Sequence, residues 1–256
     1  DNKRVLRLWN IRLGAVLLAL AVAVIVAGGS STVPVTRQYL AVDTLATEAA
    51  GGVEVLTPAT RHIADVHVSW LVAKFAIIAA VTYLLAATVW RKRYETWLDE
   101  GVNKLRWAGF GLAGGAAVVS VAMLSGVSDI ATLALIFGSI ALAGAFAAAL
   151  ELLGSGRRLS RLLAFGAIAG LVLPWLGFVA NAVGAPAYGS GLPLYLYLLY
   201  VVVTLWFVAI ALATHFRVNQ RGRWADPIYA EKAFMLLGFS AIVVLALQIF
   251  TGTLQS

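Results

Sequence analysis

Long apolar runs separated by short polar or basic connections dominate this chain. Seven can be placed, at about 11–29, 67–90, 107–125, 130–153, 162–183, 193–215 and 229–250. Most come close to the ~20 residues that a helix needs to cross hydrocarbon. Ser125-Gly126-Val127-Ser128-Asp129 divides the third run from the fourth. The seventh opens on Glu231 and Lys232, which the pattern places in the interface, where a lysine stem can snorkel. A transmembrane barrel would show many short strands of alternating polarity instead. The pattern therefore predicts an all-α membrane protein, a bundle of seven transmembrane helices forming a single domain over residues 1–256.

Composition agrees with this picture. Hydrophobic residues make up 61% of the 256 positions and charged residues 12%, about half the usual charged share of a soluble domain. The formal charge of +7 would suit nucleic acid in a soluble protein. Here the basic residues flank apolar runs, so they speak for topology and no nucleic-acid partner is expected. The chain contains no Cys, which excludes disulfides and thiolate-ligated metals. The first apolar run follows a basic segment, as in a signal peptide, but no convincing cleavage segment follows it, and it is read as a span.

Lys3, Arg4, Arg7, Arg12, Arg91, Lys92, Arg93, Lys104, Arg106, Arg157, Arg158, Arg161, Arg217, Arg221, Arg223 and Lys232 fall on one side of the predicted bundle. Only Arg37 and Arg61 fall on the other, and Lys74 lies within a span. The positive-inside rule then predicts a multi-pass cell-membrane protein with a cytoplasmic N-terminus and an extracellular C-terminus. The longest connection, residues 30–66, is external in this reading. Gly51-Gly52 sits between Gln38-Tyr39-Leu40-Ala41-Val42 and Val53-Glu54-Val55-Leu56, a pattern that predicts a short β-hairpin.

An ionisable residue inside the membrane is the usual pointer to a site. Lys74 is the clear case, roughly 11 Å below the interface at 1.5 Å per residue. It is either a buried amine facing a cavity, ion, carboxylate or aldehyde, or a lysine reaching back to the headgroups. Glu151 precedes Arg157, Arg158 and Arg161, which favours an interfacial salt bridge over a proton relay. Asp129 suits a helix N-cap, and Asn181 and Gln248 can join helices or bind water. His62, Asp65 and His67 cluster before the second span and are read as solvated surface rather than metal ligands. His215 is read as interfacial.

Trp175, Phe178, Tyr200 and Trp206 are candidates for walling an apolar ligand pocket, with Tyr195, Tyr197 and Phe207 nearby. Gly109, Gly111, Gly114, Gly115, Ala116 and Ala117 of the third span, and Gly144 and Ala148 of the fourth, either let helices approach closely or leave room for a lipid or pigment. No paired carboxylates spaced for hydrolysis, phosphate loop, zinc motif or serine-nucleophile motif occurs, and no enzyme is expected.

Several stretches carry a family resemblance: Pro34-Val35-Thr36 through Tyr39-Leu40 and Asp43-Thr44, Leu56-Thr57-Pro58-Ala59-Thr60-Arg61, Asp65-Val66 and Trp70-Leu71-Val72-Ala73. So do Asn103 to Trp107, Met123-Leu124-Ser125-Gly126 with Asp129-Ile130, Asn219-Gln220 with Gly222 and Trp224, Tyr229 with Glu231-Lys232, and Phe250-Thr251-Gly252-Thr253-Leu254. Over nearly all its length the chain resembles the heliorhodopsins, distant relatives of microbial rhodopsins. The resemblance implies a rhodopsin-like seven-helix bundle, a cytoplasmic N-terminus and a sheet in the first external loop. It also implies a retinal Schiff base on a seventh-helix lysine and a third-helix glutamate counterion. Here those positions hold Ile242 and Gly109, and the polar histidines of the first two helices are replaced at about Leu17 and at Tyr83.

A protonated Schiff base in low dielectric needs a compensating charge, and amine and carboxylate are missing together. The expectation is therefore a non-photochemical, heliorhodopsin-like protein without covalent retinal and without a bound cofactor. It would act in signalling or regulation through an apolar ligand, a protein partner or a homodimer, in contact with membrane lipids. One alternative is a photoreceptor with noncovalent or unusually attached retinal or carotenoid. Another is a transporter of ions or small solutes, against which stands the lack of a chain of buried ionisable groups.

Overall fold

In the computed structural model, which describes residues 2–189 and 191–253, seven helices are long and apolar enough to cross a membrane. They are α1 (Asn2–Ala27), α3 (Val68–Ala87), α5 (Lys104–Leu124), α6 (Ile130–Leu153), α7 (Arg158–Tyr188), α8 (Leu194–Val218) and α9 (Pro227–Thr253). The hairpin strands are β1 (Thr32–Val42) and β2 (Leu56–His67), joined through the short helix α2 (Thr44–Ala49). A further short helix, α4 (Arg91–Asp99), lies between α3 and α5. Leu254, the last residue of the C-terminal motif, lies outside the described residues.

All seven predicted spans are present, and several extend past their apolar cores. α1 starts nine residues before the predicted 11, because a helix continues through Lys and Arg wherever no breaker stops it. α7 runs from 158 to 188 rather than 162 to 183, with Pro174 and Pro186 inside it. The hairpin is also longer than predicted. Its antiparallel register runs from Thr32↔His67 to Val42↔Leu56, with one irregularity between Val35 and Thr36. Val53 to Val55 lie outside the second strand. Gly51-Gly52 turns the chain after α2 rather than closing a tight hairpin. Asp43 caps α2 by accepting from the Ala46 amide.

Val33, Val35 and Val66 of the hairpin pack against the core, and hydrogen bonds tie β1 to the segment before α6. Thr36 donates its amide to the Ser128 carbonyl, 2.8 Å away, and the Gln38 amide reaches Asp129 Oδ1 at 3.2 Å. Asp129 also caps α6 through the Thr132 amide, as its place in the sequence predicts. These amides, Thr132 before Gln38, hold the Asp129 carboxyl below the usual carboxylate range.

The main apolar cluster between the helices holds Leu17, Leu71, Phe75, Val121, Ile140, Phe178, Leu199 and Ile249, each at most 1% exposed. The small residues of α5 and α6 are used for close approach. A Cβ added to Gly144 would stand 2.9 Å from the Trp107 carbonyl oxygen. Near this contact α5 carries a π-helical turn, Phe110–Gly114, a local widening often found beside sites.

Candidate functional site

α3, α5, α8 and α9 line most of a central, partly open cavity of about 140 Å³. Its lining on α9 runs from Glu231 to Leu245, roughly 20 Å of helix at 1.5 Å per residue. One stretch of wall is apolar: Ala79, Ala113, Ala117, Val203, Trp206, Phe207, Gly238, Ile242 and Leu245. The end away from the hairpin is polar, formed by Asn10, Tyr94, Asn103, Arg106 and Glu231.

Gly109 and Ile242, the positions where the resemblance places a carboxylate and an amine, both line this cavity. None of its lining residues is a lysine. Where the carboxylate would stand, α3 packs closely on α5: a Cβ on Gly109 would lie 2.5 Å from Thr82 Cγ2. Tyr83 donates its hydroxyl across the site to the Met235 carbonyl at 3.0 Å. The volume is close to that of an engineered dry cavity of roughly 150 Å³ that takes benzene. The amine and the counterion that a covalent retinal would need are both missing from positions 242 and 109.

Lys74 does not line the cavity. It is half-buried and shares a helical line with Trp70 and Val81, which are 51% and 45% exposed. The face it occupies is the outer face of α3, while Leu71, Phe75 and Ala76 turn to the core.

The aromatic candidates divide. Phe178 and Tyr200 stack at 5.0 Å, and Trp175 meets them edge-on at 5.3 and 5.9 Å. Those three rings fill their space with one another. Trp206 belongs to the central cavity instead. Asn181 joins helices through the Ser125 carbonyl at 3.3 Å, whereas Gln248 Oε1 is buried without a partner among the described residues. His62 Nε2 lies 3.0 Å from Asp65 Oδ1 on the exposed hairpin. His215 faces Asn219.

Beneath the cavity is a buried ionic network that the sequence reading missed. Arg106 donates through Nη1 to Glu231 Oε2 at 2.5 Å and through Nη2 to both oxygens of Glu151 at 2.7 and 2.5 Å. Glu231 also accepts from Asn103 at 2.7 Å and from Tyr94 at 3.1 Å. Glu151 accepts from the Trp107 indole at 2.6 Å, and Arg217 Nε stands 3.5 Å away. Arg217 itself donates to the carbonyls of Gly101, Trp224 and Ala225. The Arg106 guanidinium lies over the Phe234 ring, 4.2 Å from its centroid.

Two expectations are corrected here. Glu231 is 2% exposed, packed inside the bundle rather than facing headgroups or solvent, because it lies on the stripe of α9 that carries Phe234, Met235 and Ile242 into the core. Glu151 forms an ion pair, but with Arg106 and Arg217 instead of the arginines that follow it. The signal was available in the helical spacing. Arg106 and Trp107 follow Asn103, the N-cap of α5, at intervals of three and four, which brings the three side chains to one side of its first turn.

Tyr94 gives this network a pH signature. Burial first, and then the Glu231 carboxylate, raise its ionisation well above the usual phenol range. A raised folded pKa means the contribution is complete below the unfolded value near 10 and is lost as pH rises beyond it. Wild type should therefore melt above Tyr94→Phe at about pH 8, with the gap narrowing above about pH 10. A gap that stays constant across thermal scans in that range would contradict the assignment.

Seven spans, a hairpin between the first two and a central cavity bounded by the third and seventh define a rhodopsin-like membrane bundle. The heliorhodopsin family model matches residues 6–254, and the chain belongs to that family. No curated protein matches it.

Proposed function

We propose that this chain is a non-photochemical heliorhodopsin that does not hold retinal covalently and acts by binding a small apolar ligand in its central cavity. The reading rests chiefly on one observation: Gly109 and Ile242 line the cavity where a Schiff-base site would need a carboxylate and an amine. The output would be signalling or regulation at the face bearing the basic connections, carried by a protein partner or a homodimer. The Lys and Arg bias supports a cytoplasmic placement of that face. The polar end of the cavity supports such coupling, because Arg106 and Glu231 both line the cavity and join the ionic network across four spans.

The test is a spectrum together with a mass. Purified protein incubated with all-trans retinal should show no visible band attributable to a bound pigment. After borohydride reduction its intact mass should carry no retinyl adduct. A stable visible band, or an adduct mapped to one lysine, would sink the proposal.

A further inference from the structure

Cations are scarce at the hairpin end of the bundle. Sixteen of the nineteen Lys and Arg residues belong to the opposite end and Lys74 to the body of α3, which leaves Arg37 and Arg61. These two stand directly opposite each other across the β1–β2 register. Both are exposed, and neither has an ion-pair partner among the described residues. Nearby acidic groups are occupied elsewhere: Asp65 faces His62, and Asp129 holds the Thr132 and Gln38 amides.

Like charges directly opposite on one sheet face repel. A two-stranded sheet has little stability to spare for that. The neighbouring rungs are Thr36↔His62, whose imidazole faces Asp65, and the uncharged Gln38↔Thr60, with Tyr39↔Ala59 beyond it, so no second Lys or Arg pair adjoins this rung. Depth then narrows the choice of counter-charge. Thr36 and Gln38, on either side of Arg37, are bonded to Ser128 and Asp129, and Asp129 caps a membrane-spanning helix. Arg37 therefore stands level with a helix end, where lipid headgroups lie. Tyr39 is 47% exposed and follows on the same face two residues on, as an interfacial aromatic does.

We propose that Arg37 and Arg61 form a clamp for the phosphate of an anionic lipid headgroup in the leaflet at the hairpin end. A phosphodiester supplies the missing negative charge and several acceptor oxygens, and two guanidinium groups on one rung can share it. Bound lipid turns the repulsive rung into an attractive one. This inference depends on neither the cavity reading nor the membrane orientation.

The full chain in mild detergent, titrated with phosphatidylglycerol or phosphatidylcholine and weighed by native mass spectrometry, tests it. Wild type should retain one phosphatidylglycerol in preference to phosphatidylcholine. Arg37→Gln with Arg61→Gln should weaken that retention about tenfold or more and leave phosphatidylcholine unchanged. Arg37→Lys with Arg61→Lys should keep the preference. The same charge change at the opposite end, Arg221→Gln with Arg223→Gln, should leave the retained lipid in place. Without lipid, the Gln variant should melt no lower than wild type, since it loses a repulsion. Equal retention by wild type and the Gln variant overturns the proposal. So does an equal loss in the opposite-end control, effective competition by inorganic phosphate, or a variant that changes only the dimer population.

Discussion

Arg106→Met is expected to destabilise the protein by about 3–5 kcal/mol, the cost of removing one partner from a buried ion pair. In detergent this should appear as a melting midpoint lower by roughly 10 °C. The reason is what stays behind. Glu151 and Glu231 are 4% and 3% exposed as side chains, and each loses its closest cation. Glu231 would keep only the Asn103 and Tyr94 donors, and Glu151 only the Trp107 indole and the more distant Arg217. Methionine fills much of the volume, so the loss comes from uncompensated charge and not from a hole.

That account makes a sharper demand on a triple variant. Arg106→Met with Glu151→Gln and Glu231→Gln removes the charges together, and replacing whole buried ionic groups by neutral ones is often close to neutral. The triple variant should recover most of the lost stability. Arg217 retains three backbone carbonyls even then. If the triple variant melts as low as Arg106→Met, the network contributes through shape and the electrostatic account fails.

The network also shows where sequence reasoning reaches its limit. Spans are legible because each is a continuous apolar run whose length the membrane dictates. A cap such as Asp129 is legible because the interaction is local. Glu231 beside Lys232 is harder, since two adjacent charges at the start of an apolar run look alike in hydropathy. Only the stripe through Phe234, Met235 and Ile242 separates the inward residue from the outward one. The Arg106 to Glu231 pairing spans 125 positions, and no local rule links them. Hairpin length was underestimated for a related reason. β1 and β2 have exposed residues on both faces, so the alternation that marks a half-buried strand is blurred.

The second large effect concerns the cavity. Ile242→Lys with Gly109→Glu restores both charged groups named by the family resemblance, yet this double variant is expected to form no pigment with retinal. Gly109→Ala alone should destabilise by about 1–3 kcal/mol, the cost of overpacking a filled site, because the new Cβ meets Thr82 Cγ2 at 2.5 Å and Thr82 Oγ1 at 3.0 Å. Thr82→Ala removes both atoms, and the remaining Cβ at 3.2 Å requires only a small shift. The cycle of Gly109→Ala, Thr82→Ala and their combination should therefore show a favourable coupling of about 0.5–3 kcal/mol. Melting midpoints of the four proteins measure it, and additive effects would show that Thr82 is not the obstacle. A visible band from the Ile242→Lys, Gly109→Glu protein would be the more damaging result. It would mean that two side chains are all that separates this cavity from a Schiff-base site. Against that outcome stands the packing of α3 on α5 at Gly109, where Thr82 fills the space in which the carboxylate stem would stand.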